Sequence, residues 1–170
     1  MNRHNRRSIR LKGYDYGQAG AYFLTLCSQN RNCMFGNITD GKMELSKYGV
    51  IVNDEWQQSE QIRKEIKLDE FIIMPNHLHG IVFIENTVGA NGRSPLHRMN
   101  MGSKTLSSFM AGYKSAVTKQ INELCQMPGA TAWQRNYYEH IIRNDDDLTR
   151  IREYIVNNPV KWEEDDYYVK

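Results

Sequence analysis

Short apolar runs and amphipathic stretches follow one another along the chain, and together they predict an ordered mixture of strands and helices. Apolar, β-branched runs predict strands over residues 22–28, 68–74, 78–84 and 137–142. The Asp40-Gly41 pair stands between two short stretches within residues 36–45, which is typical of a hairpin tip. Strands are therefore predicted along most of the chain.

Apolar positions at helical spacing predict three helices, over residues 46–61, 104–125 and 148–157. Ser46 is a suitable N-cap for the first helix, and Pro159 stops the third. This order of elements predicts an α+β sandwich whose antiparallel sheet has its two main helices on one face. A central strand that carries a site on the other face, met by a helix, fits this arrangement.

Length and composition indicate one domain over residues 1–170. The chain has 170 residues, of which 40% are hydrophobic, and a net charge of +2, all ordinary for a globular protein. No apolar run approaches the roughly 20 residues of a membrane span, and the N-terminus lacks a hydrophobic signal core. We therefore expect no membrane association and a cytoplasmic location.

Two polar segments stand apart from the predicted elements. The first is a basic arm over residues 1–12, which contains Arg3, Arg6, Arg7 and Arg10. Such an arm either grips phosphates or is a solvated tail. The second segment, residues 85–103, is rich in Gly, Asn, Ser and Arg and has little periodicity, so it predicts a long mobile loop.

A histidine pair with one residue between its members is the strongest chemical signal in the sequence. His77 and His79 begin a predicted strand, just after Pro75-Asn76. Side chains two residues apart on a strand project from one face, roughly 7 Å apart, so a divalent cation can bridge the two imidazoles. The alternative is a polar surface pair. The apolar surroundings favour a metal site, because buried polar groups need partners.

Tyr113, midway along the second predicted helix, is a candidate nucleophile. A phenol with a pKa of about 10 is a poor nucleophile at neutral pH, but a nearby cation can stabilise the phenolate. Attack on a phosphodiester then gives a covalent phosphotyrosine. The alternative reading is that Tyr113 packs its ring against the sheet and hydrogen-bonds its hydroxyl.

Five segments in one order are more specific than the histidine pair alone. They are A-Y-F-L-T-L-C-S-Q-N-R (21–31), M-P-N-H-L-H-G-I-V (74–82), K-S-A-V-T-K-Q-I-N (114–122), W-Q-R-N-Y-Y-E-H-I-I-R (133–143) and I-R-E-Y-I-V-N-N-P-V-K-W (151–162). Together they resemble the single-tyrosine HUH transposases, and in particular the REP-associated tyrosine transposases. The second segment resembles the histidine–hydrophobe–histidine motif of that family.

The resemblance implies a ferredoxin-like fold, a homodimer and a location in the cytoplasm near the nucleoid. It implies binding of single-stranded DNA that contains a hairpin, and cutting and rejoining of strands with a tyrosine and Mg²⁺ or Mn²⁺. By the same resemblance His77 and His79 are metal ligands and a helix tyrosine is the nucleophile, for which Tyr113 is the first candidate.

The second predicted helix departs from the family pattern. Val117 occupies the place where the resemblance implies a tyrosine, and Tyr113 lies one turn earlier on the same face. Valine cannot coordinate a metal, so Gln120 and Asn122 are candidates for a third ligand. The remaining candidate phenols are Tyr137 and Tyr138, which should face opposite sides of the last predicted strand.

Basic residues in the arm and beyond it are candidates for binding phosphates; they are Arg3, Arg6, Arg7, Arg10, Lys114, Lys119 and Arg135. The leading hypothesis is a transposase that forms a covalent adduct with hairpin DNA. A domesticated hairpin-binding protein without cleavage activity is the alternative, favoured by Val117. A metal-dependent phosphoesterase that activates water ranks last, because it needs more carboxylate ligands than the sequence supplies.

Overall fold

The computed structural model describes residues 19–85 and 105–169. The basic arm, including Arg3, Arg6, Arg7 and Arg10, lies outside the described residues, and so does almost all of the predicted loop 85–103. Within the described ranges, none of the helices has both the length and the apolar character needed to cross a membrane.

In the described ranges, the main sheet has four strands in the order β4-β5-β1-β6, and every neighbouring pair is antiparallel. Its strands are β1 (Gly20–Cys27), β4 (Ile66–Met74), β5 (His77–Ile84) and β6 (Tyr138–Ile142). A separate hairpin consists of β2 (Gly36–Thr39) and β3 (Lys42–Leu45). Its tip has positive φ at both Asp40 and Gly41, which confirms the predicted turn.

Three helices in the part of the chain that the structure describes follow the predicted pattern, and each begins after a side-chain cap. They are α1 (Lys47–Ile62), α2 (Leu106–Cys125) and α3 (Asp145–Asn157). The Ser46 hydroxyl caps α1, Thr105 and Ser108 form a capping box at α2, and the Asn144 side chain caps α3. A 3-10 turn over Pro159–Glu164 follows α3, so the proline ends the α-helix as predicted.

The larger hydrophobic core lies between the sheet and the two longer helices, α1 and α2. Alternate β1 residues Tyr22, Leu24 and Leu26 point into it and are fully buried or nearly so. Trp56 of α1 packs on Gly80 of β5, where a Cβ atom would lie 2.5 Å from the Trp56 ring. This close approach leaves no room for a side chain at residue 80 on this face.

The third helix covers part of the opposite face of the sheet. Ile151 and Ile155 of α3 pack there against Phe23, Ile81 and Ile142. The structure thus confirms the predicted α+β sandwich with an antiparallel sheet and its two main helices on one face. It also brings a helix to the other face, where β5 presents the histidines.

Candidate metal centre

The two histidines point from the α3 face of the sheet, as their spacing predicted. In the register of the sheet, His77 lies opposite Cys27 and His79 lies opposite Thr25. The imidazole centroids are 4.4 Å apart and the two Nε2 atoms are 3.0 Å apart. Ligand atoms at this separation can both reach one cation through bonds of about 2 Å.

Hydrogen bonds to the second nitrogen of each ring fix the orientation of the pair. Asn76 donates its side-chain N–H to backbone oxygens of Tyr167 and Arg31, so its Oδ1 faces His77 Nδ1 at 2.9 Å. A carbonyl oxygen accepts, so His77 Nδ1 carries the proton and Nε2 presents its lone pair. Thr25 Oγ1 holds His79 Nδ1 at 2.8 Å. Such outer partners are typical of metal-binding histidines.

Burial keeps both imidazoles neutral. It lowers the pKa of His77 to about 3, with a further contribution from the Arg31 charge. The pKa of His79 is also lowered, first by burial and then by the neighbouring His77. Neutral rings at physiological pH keep their lone pairs available to a cation.

A carboxylate completes a ligand group that the histidine motif alone does not reveal, and a buried amide lies beside this carboxylate. Ligand atoms of His77, His79 and Asp165 all lie within 4.8 Å of one another. Asn158 Nδ2 donates to Asp165 Oδ2 at 2.9 Å, and the buried Asn158 Oδ1 has no hydrogen-bond partner in the described part of the chain. Two neutral imidazoles with carboxylate and amide oxygens fit a divalent cation such as Mn²⁺ or Mg²⁺.

A tyrosine of α3 lies beside this ligand group. The Tyr154 hydroxyl is 3.1 Å from His79 Nε2 and 3.5 Å from Asp165 Oδ2. Ile151 and Ile155 are buried on the same side of α3 and turn Tyr154 towards the histidines. Partial burial raises the pKa of Tyr154, and the nearby Asp165 charge raises it further. The phenol is therefore protonated in this state, and 43% of the residue remains exposed.

Tyr113, the nucleophile proposed from the sequence, lies on the opposite face of the sheet. Its ring packs edge-on against Trp56, and its hydroxyl donates to the backbone oxygen of Val52 at 2.9 Å. It is 4% exposed, and burial raises its pKa well above the ordinary value. The structure does not bring Tyr113 to the histidines, because Tyr113 and Val117 belong to the apolar stripe that α2 buries in the core.

The other candidates on α2 are also remote from the histidines. Gln120 donates to Glu55 of α1, and Asn122 donates to the backbone oxygen of Ala130 at 3.0 Å. The structure thus places neither in the ligand group. Tyr137 packs against the larger core, whereas Tyr138 is 43% exposed and lies across the sheet from Thr25, so the predicted alternation is correct.

Three of the predicted DNA-binding residues line one groove along α2. This groove, a cavity of about 430 Å³, includes Lys114, Lys119 and Arg135 among its polar lining residues. The Lys114 ammonium donates to backbone oxygens of Gln134 and Arg135, which fixes the 134–135 segment against α2.

The sequence contained a signal for the residues that were missed. Ile151, Tyr154, Ile155 and Asn158 follow the i, i+3, i+4, i+7 spacing of one helix face. They lie in the I-R-E-Y-I-V-N-N-P-V-K-W segment, where the tyrosine could have been assigned instead of Tyr113. No local pattern predicted Asp165, because its contact with the histidines depends on how the chain turns back after α3.

Sequence comparison identifies proteins that are similar to this chain. An uncharacterised protein of Haemophilus influenzae is 41% identical over 172 residues, which cover 98% of this chain and 94% of that protein. A putative REP-associated tyrosine transposase of the same organism is 25% identical over 157 residues, or 86% of this chain and 74% of that protein. No family model matches the chain.

A solved structure supports the same fold. A REP-associated tyrosine transposase bound to a REP hairpin superimposes with a TM-score of 0.59 and 22% identity. The match covers 92% of this chain and 74% of that chain. The arrangement of sheet and helices described above is therefore a transposase-like fold.

Proposed function

Because the chain belongs to the same family as the Haemophilus protein of 41% identity and has a fold like that of a REP-associated tyrosine transposase, we propose that it cuts and rejoins single-stranded DNA. The reaction proceeds through a covalent phosphotyrosine. Tyr154 replaces Tyr113 as the proposed nucleophile. The observation that carries this proposal is the Tyr154 hydroxyl, 3.1 Å from His79 Nε2 and on the same face as Asp165.

The proposed chemistry uses residues of this one face. The Tyr154 oxygen attacks phosphorus, and the bond from phosphorus to one deoxyribose oxygen breaks. The phenol proton, which faces the Asp165 carboxylate, is transferred to that leaving oxygen, which departs as a deoxyribose hydroxyl. Attack by a deoxyribose hydroxyl on the phosphotyrosine reverses these changes and releases the Tyr154 phenol. The new linkage conserves the phosphodiester bond, so rejoining requires no ATP.

The residues that would hold the cation are His77, His79 and Asp165. The neighbouring Asn158 is a candidate for a further ligand, because its buried Oδ1 has no hydrogen-bond partner among the described residues. A divalent cation there supplies positive charge for the phosphate oxygens and for the phenolate that forms. Asn76 and Thr25 orient the two imidazoles towards it. The mixed set of nitrogen and oxygen ligands favours Mn²⁺ over Mg²⁺ in binding strength.

The proposed substrate is single-stranded DNA with a hairpin. The structurally similar transposase is bound to a REP hairpin. In this chain, Lys114, Lys119 and Arg135 border one groove where phosphates can bind. The homodimer implied by the resemblance stays a prediction, which sedimentation of the purified protein can test.

The test is adduct formation with a single-stranded oligonucleotide that contains the hairpin beside the protein's own gene. With Mn²⁺ we expect a denaturation-resistant protein–DNA band. Tyr154→Phe removes the nucleophilic oxygen and should abolish the band. Tyr113→Phe, the matched control on the other face, should retain it. An adduct with Tyr154→Phe at the parental level would refute the assignment.

A second candidate function is hairpin binding without cleavage. It is favoured by the burial of the histidines, which are 0% and 1% exposed. The ring centroid of Tyr167 lies 4.7 Å from that of His77, and the ring centroid of Trp162 lies 5.9 Å from it. These two rings contribute to the burial of His77. Tight, salt-sensitive binding with no adduct under either metal would select this function.

A further inference from the structure

A cavity of about 510 Å³ opens beside the ligand group, between strands β1 and β6 and helix α3. His79 and Tyr154 both contribute to its lining. Pockets of roughly 300–1,000 Å³ are typical of small-ligand sites, so this cavity can hold a nucleotide. It connects the exterior to the atoms proposed to react.

One wall of this cavity offers an aromatic surface. Tyr138 of β6 is 43% exposed, although its neighbour Phe23 is buried. Their ring centroids are 6.3 Å apart in an edge-on contact, and Phe23 stacks on His79 at 5.3 Å. The ring of Tyr138 is thus supported on one side and open to solvent on the other. An open aromatic ring beside a phosphodiester site is a typical stacking surface for an unpaired base.

The rim of the cavity carries a fixed guanidinium group. Asp147 accepts hydrogen bonds from Arg150 and, at 2.8 Å, from His140 Nε2. These bonds lower the pKa of Asp147 and keep it ionised. Arg150 lies one helical turn before Tyr154, and its side chain is 70% exposed. Since guanidinium has five N–H donors, it can bind a phosphate while it stays attached to Asp147.

Charge distinguishes this cavity from the one on the other side of Tyr154. Among the lining residues that the structure describes, Asp166 is the sole carboxylate of the cavity next to Tyr138. Arg150 borders the other cavity as well, which has a volume of about 490 Å³. That cavity is lined by four carboxylates, those of Glu153, Glu164, Asp165 and Asp166, against two basic side chains, those of Arg150 and Lys161. A phosphate backbone is repelled less on the Tyr138 side.

We propose that the cavity bordered by Tyr138 and Arg150 binds one unpaired nucleotide next to the phosphate that is cut, with its base on Tyr138 and its phosphate on Arg150. This inference rests on the proposed function, because it assumes a single-stranded substrate at Tyr154. It assigns Tyr138 and Arg150 as residues that position the strand. His140 and Asp147 act through Arg150.

The test measures base stacking in the absence of metal. The probe is the hairpin oligonucleotide described above, with 2-aminopurine placed in turn at each single-stranded position. One position should lose fluorescence on binding to the parent protein and to Tyr138→Phe, and should keep it with Tyr138→Ala. Tyr138→Ala should also bind about tenfold more weakly, and an abasic site at that position should remove the difference.

Substitutions of two basic side chains, Arg150 and Lys161, test the phosphate contact. Arg150→Ala should reduce the salt dependence of binding by about 0.7 in log–log slope, the value for one phosphate of a single strand. Lys161→Ala, which removes a cation lining the acidic cavity, should leave the slope and the fluorescence pattern unchanged. Thermal melting confirms that each variant is folded, and Tyr138 is an exposed residue of an edge strand.

The outcomes separate the two proposals. If no position shows quenching that depends on Tyr138, the nucleotide site is wrong even when an adduct forms. If the quenching is present but no adduct forms with Mn²⁺, the nucleotide site stands and the cleavage function fails. Equal effects of Arg150→Ala and Lys161→Ala would overturn the assignment of the phosphate to Arg150.

Discussion

The two faces of the central sheet each receive a helix tyrosine, and they differ in what surrounds its hydroxyl. On the α2 face, Tyr113 is 4% exposed and donates to a backbone oxygen among aromatic rings. On the α3 face, Tyr154 is 43% exposed and its hydroxyl lies near an imidazole and a carboxylate. Burial raises the pKa of both phenols. What separates a structural tyrosine from a candidate nucleophile here is therefore its neighbours.

Truncation of Tyr113 should reduce the free energy of unfolding much more than truncation of Tyr154. Tyr113→Ala removes a ring that contacts Trp56 and leaves a cavity, so we expect a loss of about 3–5 kcal/mol in the free energy of unfolding. Tyr154→Ala removes a half-exposed side chain and should cost about 1 kcal/mol. Urea denaturation measures both. Similar losses at the two positions would remove the distinction between the faces.

Acid should destabilise the metal-free protein through its buried histidines. The pKa of His77 is about 3 in the folded state, against about 6.5 in an unfolded chain, so below pH 6.5 the unfolded state binds more protons. Stability should therefore fall as the pH is lowered from 6.5 towards 3. Between pH 6.5 and 5, His77 alone should contribute about 1.5 kcal/mol to this loss.

Chemical denaturation at several pH values in the presence of a chelator measures the slope of the free energy of unfolding against pH. The variant His77→Gln cannot titrate at residue 77, and its slope over the same range should be smaller. An unchanged slope in His77→Gln would show that the imidazole is not held neutral by burial.

Loss of an outer contact should weaken the metal site without removing a ligand. Asn76→Ala deletes the oxygen that faces His77 Nδ1, and we expect about 10–100-fold weaker Mn²⁺ binding by calorimetry. Asn53→Ala, which alters a helix on the opposite face, is the control and should bind Mn²⁺ as the parent does. Parental affinity in Asn76→Ala would argue against Asn76 as the residue that orients His77.

The smallest loss of stability is expected at the ion pair between α3 and the edge strand β4. Arg152 of α3 makes two hydrogen bonds to Asp69, at the irregularity of β4. Because 43% of the Arg152 side chain is exposed, Arg152→Ala should cost only about 0.5–1 kcal/mol of stability. We also expect a modest decrease in adduct formation, since Tyr154 is on the same helix.

Exchange of the two charges tests whether this effect comes from the ion pair. The double variant Asp69→Arg/Arg152→Asp should recover part of the stability and of the adduct yield. The comparison uses the single variants Asp69→Arg and Arg152→Asp. If the loss of stability in the double variant equals the sum of the losses in these two single variants, the ion pair does not couple α3 to β4.

The sequence was sufficient to predict the elements and the histidine pair, because both depend on short-range periodicity. Ser46, Asp40 and Gly41 mark their helix start and turn through local geometry, and His77 and His79 share a face through strand alternation. Those predictions are confirmed in the described residues. None required knowledge of which elements meet in space.

The choice between the two tyrosines did require knowledge of which elements meet in space. Tyr113 and Tyr154 both lie on amphipathic helices, and periodicity cannot tell which face of a sheet each helix covers. Asp165 meets the histidines only because the 3-10 turn Pro159–Glu164 returns the chain across β5. Contacts between residues so far apart in the chain depend on tertiary packing.

The assignment of Tyr154 is tested most directly by locating the DNA on the protein after the reaction. The adduct formed with Mn²⁺ and the hairpin oligonucleotide is digested with nuclease and protease, and the modified peptide is sequenced by mass spectrometry. We predict a nucleotide attached to Tyr154. A nucleotide on Tyr113, Tyr138 or any other residue would contradict the assignment.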